Sequence, residues 1–395
     1  MNRFLLATRR FLRPSEPKAM GVSSKMSDSN PEMRSTAARI CRESLAGIWK
    51  HVNSDNIVVK HISGGLSNWM YLVQLPEGTA PLRGEPRQVL LRIYGQMHGE
   101  KTVESMITES VIFALLSERK LGPKLHGLFP GGRIEEYIPA RPLLTKELAD
   151  PELSALTAEK MAQIHRMQVP ISKEPTWLWD TMANWLSTAE EVLKNCEEVD
   201  AKQMDIVNNI RAIKLGKEIA WCRNLVNQQK HEVVFCHNDM QEGNILLRQN
   251  TRKRELVLID FEYSAYNYRG FDLANHFVEW QYDYTAPEYP FYYERQNAEP
   301  TDEQKLHFIR HYLKTLGKEG TAEEEKLLDE VKVFSIISHL LWGLWSIVNA
   351  SHSQIPFGYW DFADTRLKSY QYLKEKMIVS GPVRCGVKRK DEHND

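Results

Sequence analysis

Cysteine is scarce in this 395-residue sequence, and the five cysteines that occur are widely scattered. None of them forms a CxxC pair and their number is odd, which disfavours a disulfide framework or a zinc knuckle. Unpaired thiols of this kind are the rule in the reducing cytosol, so we expect a cytoplasmic protein.

The sequence also lacks an excess of charge and a long apolar run. With 51 Lys and Arg against 52 Asp and Glu the net charge is −1, which argues against nucleic-acid partners, whose phosphates require a surplus of basic residues. The longest nearly apolar stretch, residues 333–348, is interrupted by Ser, His and Gly. It is shorter than the roughly 20 residues of a membrane span, so we predict a buried helix and no transmembrane segment.

The order of the predicted elements divides the chain into two unequal parts. Residues 1–35 are typical of a disordered extension, although Met1–Arg13 has four Arg and no acidic residue, so mitochondrial targeting stays open. Residues 36–140 contain short strand-like runs, residues 141–380 contain mainly long helical patterns, and residues 381–395 form a polar tail. This layout predicts an α+β fold with a small β-rich N-lobe and a larger, mainly helical C-lobe.

Hydrophobic periodicity predicts the bounds of these elements. The predicted helices are Ala37–His51, Ser105–Lys120, Pro151–Gln168, Trp177–Glu198 and Met204–Gln228. The predicted strands are Ile57–Ile62, Trp69–Leu75, Gln88–Ile93, Leu125–Phe129, Arg133–Ile138, Val233–Cys236, Ile245–Leu247 and Leu256–Ile259.

The strongest chemical signal lies in the polar residues next to the last three of these strands. Asp239 belongs to a His-x-Asp loop, Asn244 follows five residues later, and Asp260 comes directly after a Val-Leu-Ile strand. Phosphoryl transfer needs such a set, because one carboxylate orients the attacking hydroxyl and two oxygen ligands hold Mg²⁺ on the nucleotide phosphates. A polar turn would explain either half of the pattern alone, but together they predict a phosphotransferase. A P-loop ATPase is disfavoured because no Walker A sequence occurs.

Two features of the first part fit a nucleotide-binding lobe. The small-residue loop Ser63–Asn68 joins two predicted strands and offers backbone N–H groups to phosphates. Arg92 is a cation inside an apolar strand, where protein kinases have a phosphate-pairing lysine. Its burial requires an anionic partner, for which the candidates are the phosphates of ATP and Glu109 on the next helix. A purely structural ion pair is the alternative.

Aromatic residues are concentrated in the last third of the chain and indicate the acceptor. Trp342 and Trp345 lie three residues apart in a helical pattern and therefore on one helix face. Such pairs usually belong to a core, but aromatic faces also bind quaternary ammonium ions, which have no N–H to donate. Glu279 is the candidate carboxylate beside such a cation; a surface helix charge is its alternative.

Taken together, these patterns resemble the choline/ethanolamine kinase family, and within it the choline kinases of animals. The resemblance extends from about Ala37 to Lys376. It is carried by Ser63–Asn68, Leu91–Gly95, Phe235–Leu247, Asn275–Trp280, Trp342–Ser346 and, most specifically, by the stretch IDFEYSAYNYRGFD at Ile259–Asp272.

The resemblance implies a protein-kinase-like bilobal fold with ATP in the cleft, and it implies roles for individual residues. The implied catalytic residues are Asp239, as the base, and Arg92; the implied metal ligands are Asn244, Asp260 and Glu262. The residues implied for ATP are Gly64, Gly65, Ser67, Asn68, Arg92, Glu136, Ile138 and Gln241. The residues implied for choline are Tyr263, Glu279, Tyr284, Trp342, Trp345, Phe357, Tyr359 and Phe362. Related choline kinases often carry Tyr in place of Phe362, so a cage with a changed rim is expected.

The implied reaction transfers the γ-phosphoryl group of ATP to choline, with Mg²⁺ as cofactor and with weaker activity on ethanolamine. The product, phosphocholine, is the first intermediate toward phosphatidylcholine. Three alternatives stay open: an ethanolamine kinase, an aminoglycoside or other small-molecule phosphotransferase, and a pseudokinase that acts as a binding module. Related choline kinases form dimers, so the resemblance also implies a homodimer or a heterodimer with a related isoform.

Overall fold

The structure is a computed structural model that describes residues 31–62, 68–94, 103–196, 199–249 and 251–380. Most of the predicted extension and the whole predicted tail lie outside these ranges. The first helix of the described residues, α1, occupies Pro31–Ser44, so it includes five residues that the prediction assigned to the disordered extension. Proline favours the first helical position, where its missing N–H costs nothing, and Glu32 in the first turn complements the helix dipole.

The predicted helix at Ala37–His51 is in fact two elements. Helix α1 ends at Ser44, and a separate 3₁₀ turn occupies Gly47–His51. The break is explained by Gly47, whose φ of 60° lies in the left-handed region that ends right-handed helices.

The N-terminal lobe is built on a five-stranded antiparallel sheet. Its strands are β1 (Val58–Ile62), β2 (Asn68–Gln74), β3 (Gln88–Tyr94), β4 (Leu125–Phe129) and β5 (Gly132–Glu136). They lie in the order β1-β2-β3-β5-β4. The register aligns Arg92 on β3 with Met70 on β2 and with Arg133 on β5. All five strands were predicted to within two residues at either end, because each has an apolar face bounded by turn residues.

Two separate hydrophobic cores correspond to the two lobes. The smaller core contains residues from α1, the 3₁₀ turn and the sheet, such as Ile40, Trp49 and Leu91. Helix α2 (Val103–Glu118) follows β3 in the chain, yet its Ile112 and Leu116 belong to the larger core. The N-lobe helix therefore joins the two lobes, and the larger core does not begin at the predicted boundary at residue 140.

The larger lobe consists mainly of helices. They are α3 (Pro151–His165), α4 (Trp177–Asn195), α5 (Ala201–Ala212), α6 (Leu215–Asn227), α7 (Arg269–Glu279), α8 (Asp302–Leu316), α9 (Thr321–His352) and α10 (Tyr359–Ser380). The prediction of one helix at Met204–Gln228 is wrong, because Ile213 is extended and separates α5 from α6. The break lets each helix turn its own apolar residues, such as Val207 and Cys222, into the core.

Short strands in this lobe carry the loops of the candidate site. They are β6 (Ala140–Pro142), β7 (Val233–Cys236), β8 (Ile245–Arg248), β9 (Leu256–Leu258), β10 (Ala265–Tyr268), β11 (Tyr282–Asp283) and β12 (Tyr293–Glu294). Strand β6 pairs with β8 and β8 pairs with β9, while β7 pairs with β10. The α+β fold with a β-rich N-lobe and a helical C-lobe is thus confirmed.

Helix α9 is long and apolar enough by composition to cross a membrane, but 78% of its most apolar window is buried inside the protein. Residues such as Phe334, Leu340 and Leu344 on this helix have no exposed surface. The prediction of a buried helix at residues 333–348 is therefore confirmed.

Close packing of α7 against α9 gives a testable prediction. A Cβ at Gly270 would lie 2.6 Å from Phe334 Cδ2 and 2.8 Å from Glu330 Cβ. Gly270→Ala should therefore lower the free energy of unfolding by about 1–3 kcal/mol, as expected for an overpacked core. The matched control is Gly216→Ala in α6, where the nearest atom, Leu186 Cδ2, is 3.5 Å away. It should leave stability unchanged or raise it by about 0.5–1 kcal/mol. Urea unfolding measures both, and equal effects of the two substitutions would contradict this packing.

Candidate active site

The loop after β7 places Asp239 beside the end of β9. Asn238 and Asp260 both have left-handed backbone conformations, with φ of 69° and 63°. Non-glycine residues adopt this region at a cost, so the surrounding contacts must hold them there. His237 joins the two segments, because its Nε2 donates to the carbonyl of Ile259 at 2.9 Å and its Nδ1 accepts from the Asp239 N–H at 3.3 Å.

A buried carboxylate on α7 holds this loop in place. Asp272 accepts hydrogen bonds from the backbone N–H groups of His237 at 2.8 Å and of Asn238 at 2.7 Å. His165 on α3 donates to the same carboxylate from Nε2 at 2.9 Å, and its Nδ1 accepts from the Tyr312 hydroxyl at 2.7 Å. Burial alone would raise the pKa of Asp272, but these donors hold it below its usual value. Asp272 and His165 were not assigned roles from the sequence.

Asn244 fixes the side chain of Asp239. Its Nδ2 donates to Asp239 Oδ2 at 2.9 Å and to the Asp239 carbonyl at 2.8 Å. Because its amide nitrogen is engaged by Asp239, the amide oxygen is the atom of the Asn244 side chain that could bind a metal ion. The carbonyl of Asn244 accepts from the Ile259 N–H at 3.0 Å, which brings it next to Asp260.

The carboxylates predicted from the sequence lie close enough to influence one another. Burial raises the pKa of Asp239 well above its usual value, and the charges of Glu279, Asp260 and Glu262 raise it further. Glu242 is a fifth acidic side chain nearby, and burial with the charge of Glu279 raises its pKa to about 8. Such repulsion favours the binding of cations among these five groups, which we call the acidic cluster.

Arg92 does have the anionic partners that its burial requires. Its Nε donates to Glu135 Oε1 at 2.9 Å, and its Nη1 lies 3.4 Å from Asp260 Oδ1. Glu109, one of the predicted partners, accepts from Arg133 Nη1 at 2.7 Å, and Arg133 also donates to Glu135 at 2.6 Å. Glu135 thus lies between two arginines, which the sequence did not reveal because β-strand register decides it. The pair Arg92–Asp260 joins the N-lobe sheet to the candidate metal site.

The other residues predicted for ATP divide into three groups. Gly64, Gly65 and Ser67 lie outside the described residues, and Asn68 pairs through its backbone with Tyr94. In the segment that connects the two lobes, the Glu136 N–H donates to the Lys124 carbonyl at 2.8 Å, so this amide is engaged within the N-lobe. Ile138 in the same segment is buried. Gln241 caps the 3₁₀ turn at Glu242–Asn244 by accepting from the Gly243 N–H at 2.7 Å.

The aromatic residues predicted from the sequence form one continuous wall, which we call the aromatic wall. Neighbouring ring centroids are 5.0–6.3 Å apart along the series Tyr263, Trp342, Trp345, Tyr359, Phe357 and Tyr284. Trp185 on α4 extends the wall, because its ring lies 6.3 Å from those of Tyr263 and Trp342. Trp185 was missed, although it lies in a predicted helix rich in tryptophan.

Hydrogen bonds fix the orientation of several of these rings. Asn275 Oδ1 accepts from Trp342 Nε1 at 2.7 Å and from the Ser338 hydroxyl at 2.8 Å. The Tyr284 hydroxyl donates to Glu279 Oε2 at 2.7 Å. The wall meets the acidic cluster at Tyr263, whose pKa is raised by burial and by the charges of Glu262 and Asp239.

The structure gives two of the predicted choline residues an unexpected partner. Arg366 on α10 donates from Nη2 to Glu279 Oε1, so Glu279 is part of a buried ion pair. The guanidinium carbon of Arg366 also lies 4.8 Å from the centroid of the Phe362 ring and therefore covers one face of it. The local sequence did not indicate this pair, because Arg366 lies between Thr365 and Leu367 in a helix of mixed polar and apolar composition. The physical reason is burial, since a carboxylate with 3% exposure needs a compensating cation.

The role of Asp272 can be tested by stability. Asp272→Asn keeps the size of the side chain but replaces one acceptor oxygen with an NH₂ group, which would face the N–H donors that now bind Asp272. The free energy of unfolding should therefore fall by about 3 kcal/mol or more. Asp364→Asn is the control, because Asp364 forms an exposed helical pair with Lys368, and such pairs contribute about 0.3–0.5 kcal/mol. Thermal and urea unfolding measure both variants. Similar stability of the two would contradict the function of Asp272 as the anchor of the loop.

Comparison with known proteins agrees with this arrangement. The sequence profile described as choline/ethanolamine kinase matches residues 59–371. A choline/ethanolamine kinase of Homo sapiens is 46% identical over 372 residues, which cover 90% of this chain and 92% of that protein. Choline kinase alpha of Mus musculus is 44% identical over 384 residues, covering 90% of this chain and 84% of that protein.

A solved structure supports the same assignment. The choline kinase of Cryptosporidium parvum is 29% identical, with a TM-score of 0.72, and the match covers 88% of this chain and 97% of that protein. The choline kinase LicA of Streptococcus pneumoniae, at 19% identity and a TM-score of 0.56, shares the fold. With a family profile that spans most of the chain and a relative of 46% identity, this protein belongs to the choline/ethanolamine kinase family and is an ATP-dependent kinase.

Proposed function

We propose that this protein transfers the γ-phosphoryl group of ATP to the hydroxyl of choline, giving phosphocholine and ADP, with weaker activity on ethanolamine. The observation that carries the proposal is the junction of the aromatic wall with the acidic cluster at Tyr263 and Asp239. This junction provides a site for a quaternary ammonium ion within reach of a carboxylate that can accept a hydroxyl proton. The names of the relatives, choline/ethanolamine kinase and choline kinase, agree with it.

The roles of the residues follow from their contacts. Asp239, held through Oδ2 by Asn244, accepts the hydrogen bond of the choline hydroxyl and orients it towards the γ-phosphate. Arg92 pairs with the phosphates while Glu135 keeps its guanidinium in position. Because the chemistry needs no covalent intermediate on the protein, most of the rate enhancement comes from positioning and charge.

Mg²⁺ belongs to this proposal, with Asn244, Asp260 and Glu262 as the residues that would hold it. Amide and carboxylate oxygens are the ligands that Mg²⁺ prefers. A cation here would offset the negative charges of Glu279, Asp260 and Glu262, which add to burial in raising the pKa of Asp239. When bound, the ion supplies positive charge to the nucleotide phosphates.

Choline should be preferred over ethanolamine. A primary ammonium ion has three N–H donors, and leaving one of them unpaired in a buried site costs about 1–3 kcal/mol. We therefore expect kcat/KM for choline to exceed that for ethanolamine by about tenfold or more, since 1.4 kcal/mol corresponds to a factor of ten. A coupled ADP-release assay with Mg²⁺ and ATP measures both amines at equal concentrations. A preference for ethanolamine would favour the ethanolamine kinase alternative.

The aromatic wall can be tested with paired tryptophan variants. Trp345→Ala should raise KM for choline about tenfold, because a cation–π contact contributes roughly 0.5–2 kcal/mol. Trp221→Ala is the matched control, since Trp221 lies on α6 with Lys374 over its ring at 4.9 Å. The KM of Trp221→Ala for choline should remain at the wild-type value. Equal effects on KM would place the ammonium ion elsewhere.

The catalytic role of Asp239 separates an active kinase from a pseudokinase. Asp239→Asn should lower kcat by about 10²–10⁴-fold, the usual contribution of a general base, with the melting temperature preserved. A wild-type protein that binds ATP but releases no ADP with choline, ethanolamine or an aminoglycoside would support the pseudokinase alternative. Near-native kcat in the variant would remove Asp239 from its proposed role.

A cytoplasmic location and a dimer remain part of the proposal. Both come from the sequence, the first from the unpaired cysteines and the second from the family resemblance. Fractionation of cells and analytical ultracentrifugation test them independently of the catalytic assays.

A further inference from the structure

Arg366 is a fully enclosed cation directly behind the aromatic wall. Its side chain is 1% exposed, and its guanidinium carbon lies 4.0 Å from the centroid of the Tyr282 ring and 4.8 Å from that of Phe362. Among the described residues its Nε and Nη1 have no hydrogen-bond partner. Burying a charge in this way is costly, so the fold retains a cation here that solvent does not stabilise.

The charge of Arg366 is directed at Glu279. Nη2 of Arg366 donates to Oε1 of this carboxylate, while the Tyr284 hydroxyl donates to Oε2 at 2.7 Å. Both oxygens of Glu279 therefore already accept a hydrogen bond, and its negative charge is matched by one fixed positive charge. Glu279 nevertheless lies near the reaction centre, because its charge contributes to the raised pKa of Asp239 and of Glu242.

This arrangement affects the two amines differently. A trimethylammonium group has no N–H and is stabilised by aromatic faces, such as those of Tyr284 and Phe357. A primary ammonium group needs strong acceptors for its three N–H donors. A carboxylate that is engaged at both oxygens and neutralised by an arginine is a weak acceptor for such a group.

Building on the function proposed above, we infer that Arg366 is a positioning residue that determines the choice between the two amines. Its guanidinium holds Glu279 behind the aromatic wall, where the carboxylate orients Tyr284 and is not available to a primary ammonium ion. The same guanidinium packs against Phe362, whose ring lies 5.5 Å from that of Phe357 and 6.0 Å from that of Tyr284, and it thereby supports this end of the aromatic wall.

The test compares choline and ethanolamine in purified full-length variants. Arg366→Met removes the cation and keeps a side chain of similar length, so Glu279 becomes an uncompensated acceptor. The ratio of kcat/KM for choline to kcat/KM for ethanolamine should fall at least tenfold, through a lower KM for ethanolamine and a higher KM for choline. The value of kcat at saturating choline should change much less. Arg366→Lys keeps the charge and should restore most of the ratio.

A second buried arginine provides the matched control. Arg269 at the start of α7 is also completely buried and pairs with Glu330 at 3.0 Å and with Glu232 at 2.7 Å. Arg269→Met should lower the melting temperature and leave the ratio between the two amines unchanged. A similar shift of the ratio in both variants would show a general effect of lost stability and would overturn the inference.

The double variant Glu279→Gln with Arg366→Met keeps the experiment decisive if Arg366→Met alone does not fold. It removes both charges together, so folding should recover. Because the carboxylate of Glu279 is then absent, the KM for ethanolamine should return towards the wild-type value. A wild-type ratio in folded Arg366→Met, or an ethanolamine gain that persists in the double variant, would overturn the inference. Absence of turnover with both amines in the wild-type protein would instead overturn the proposed function, and with it this inference.

Discussion

The geometry of the site depends on the buried carboxylate of Asp272. It accepts hydrogen bonds from two backbone N–H groups of the loop that carries Asp239, and it accepts another from the side chain of His165 on a different helix. Together with the side-chain bonds of Asn238 to Tyr263 and Asn267, these bonds offset the left-handed conformation of Asn238. Because His165 also binds Tyr312, one carboxylate joins α3, α7 and α8 to the loop. Asp239, the proposed base, is thus held by the core of the large lobe.

Fixed cations and carboxylates are paired at both ends of the site. On the side proposed for the nucleotide Arg92 contacts Glu135 and Asp260, and on the side proposed for the amine Arg366 contacts Glu279. Asp239 lies between them, and its raised pKa reflects burial among further negative charge. The protein's own arginines compensate the outer carboxylates, while in the proposed reaction Mg²⁺ and the amine would compensate the negative charge around Asp239. This division explains how so many acidic groups are tolerated in one cleft.

Much of this site could be predicted because its signals are local in sequence. Asp239, Asn244 and Asp260 follow short apolar strands, and strand ends bring such residues together. The series of rings from Tyr263 to Tyr284 was equally predictable by resemblance to the family, and the structure joins these residues into one wall. The prediction of one helix at Met204–Gln228 was wrong, because the break at Ile213 is favoured by packing against the core and not by the local pattern.

Local patterns in the amino-acid sequence predict the two-lobed α+β layout, the loop with its acidic residues, and the aromatic composition of the proposed amine site. These follow from periodicity and from spacings of a few residues, which act through local backbone geometry. The pairing of the buried charges depends on the tertiary structure, since Glu135 is 43 positions from Arg92 and Glu279 is 87 positions from Arg366. Coulomb and hydrogen-bond energies depend on distance in space, so the partner of a buried charge is settled by packing and not by position along the chain.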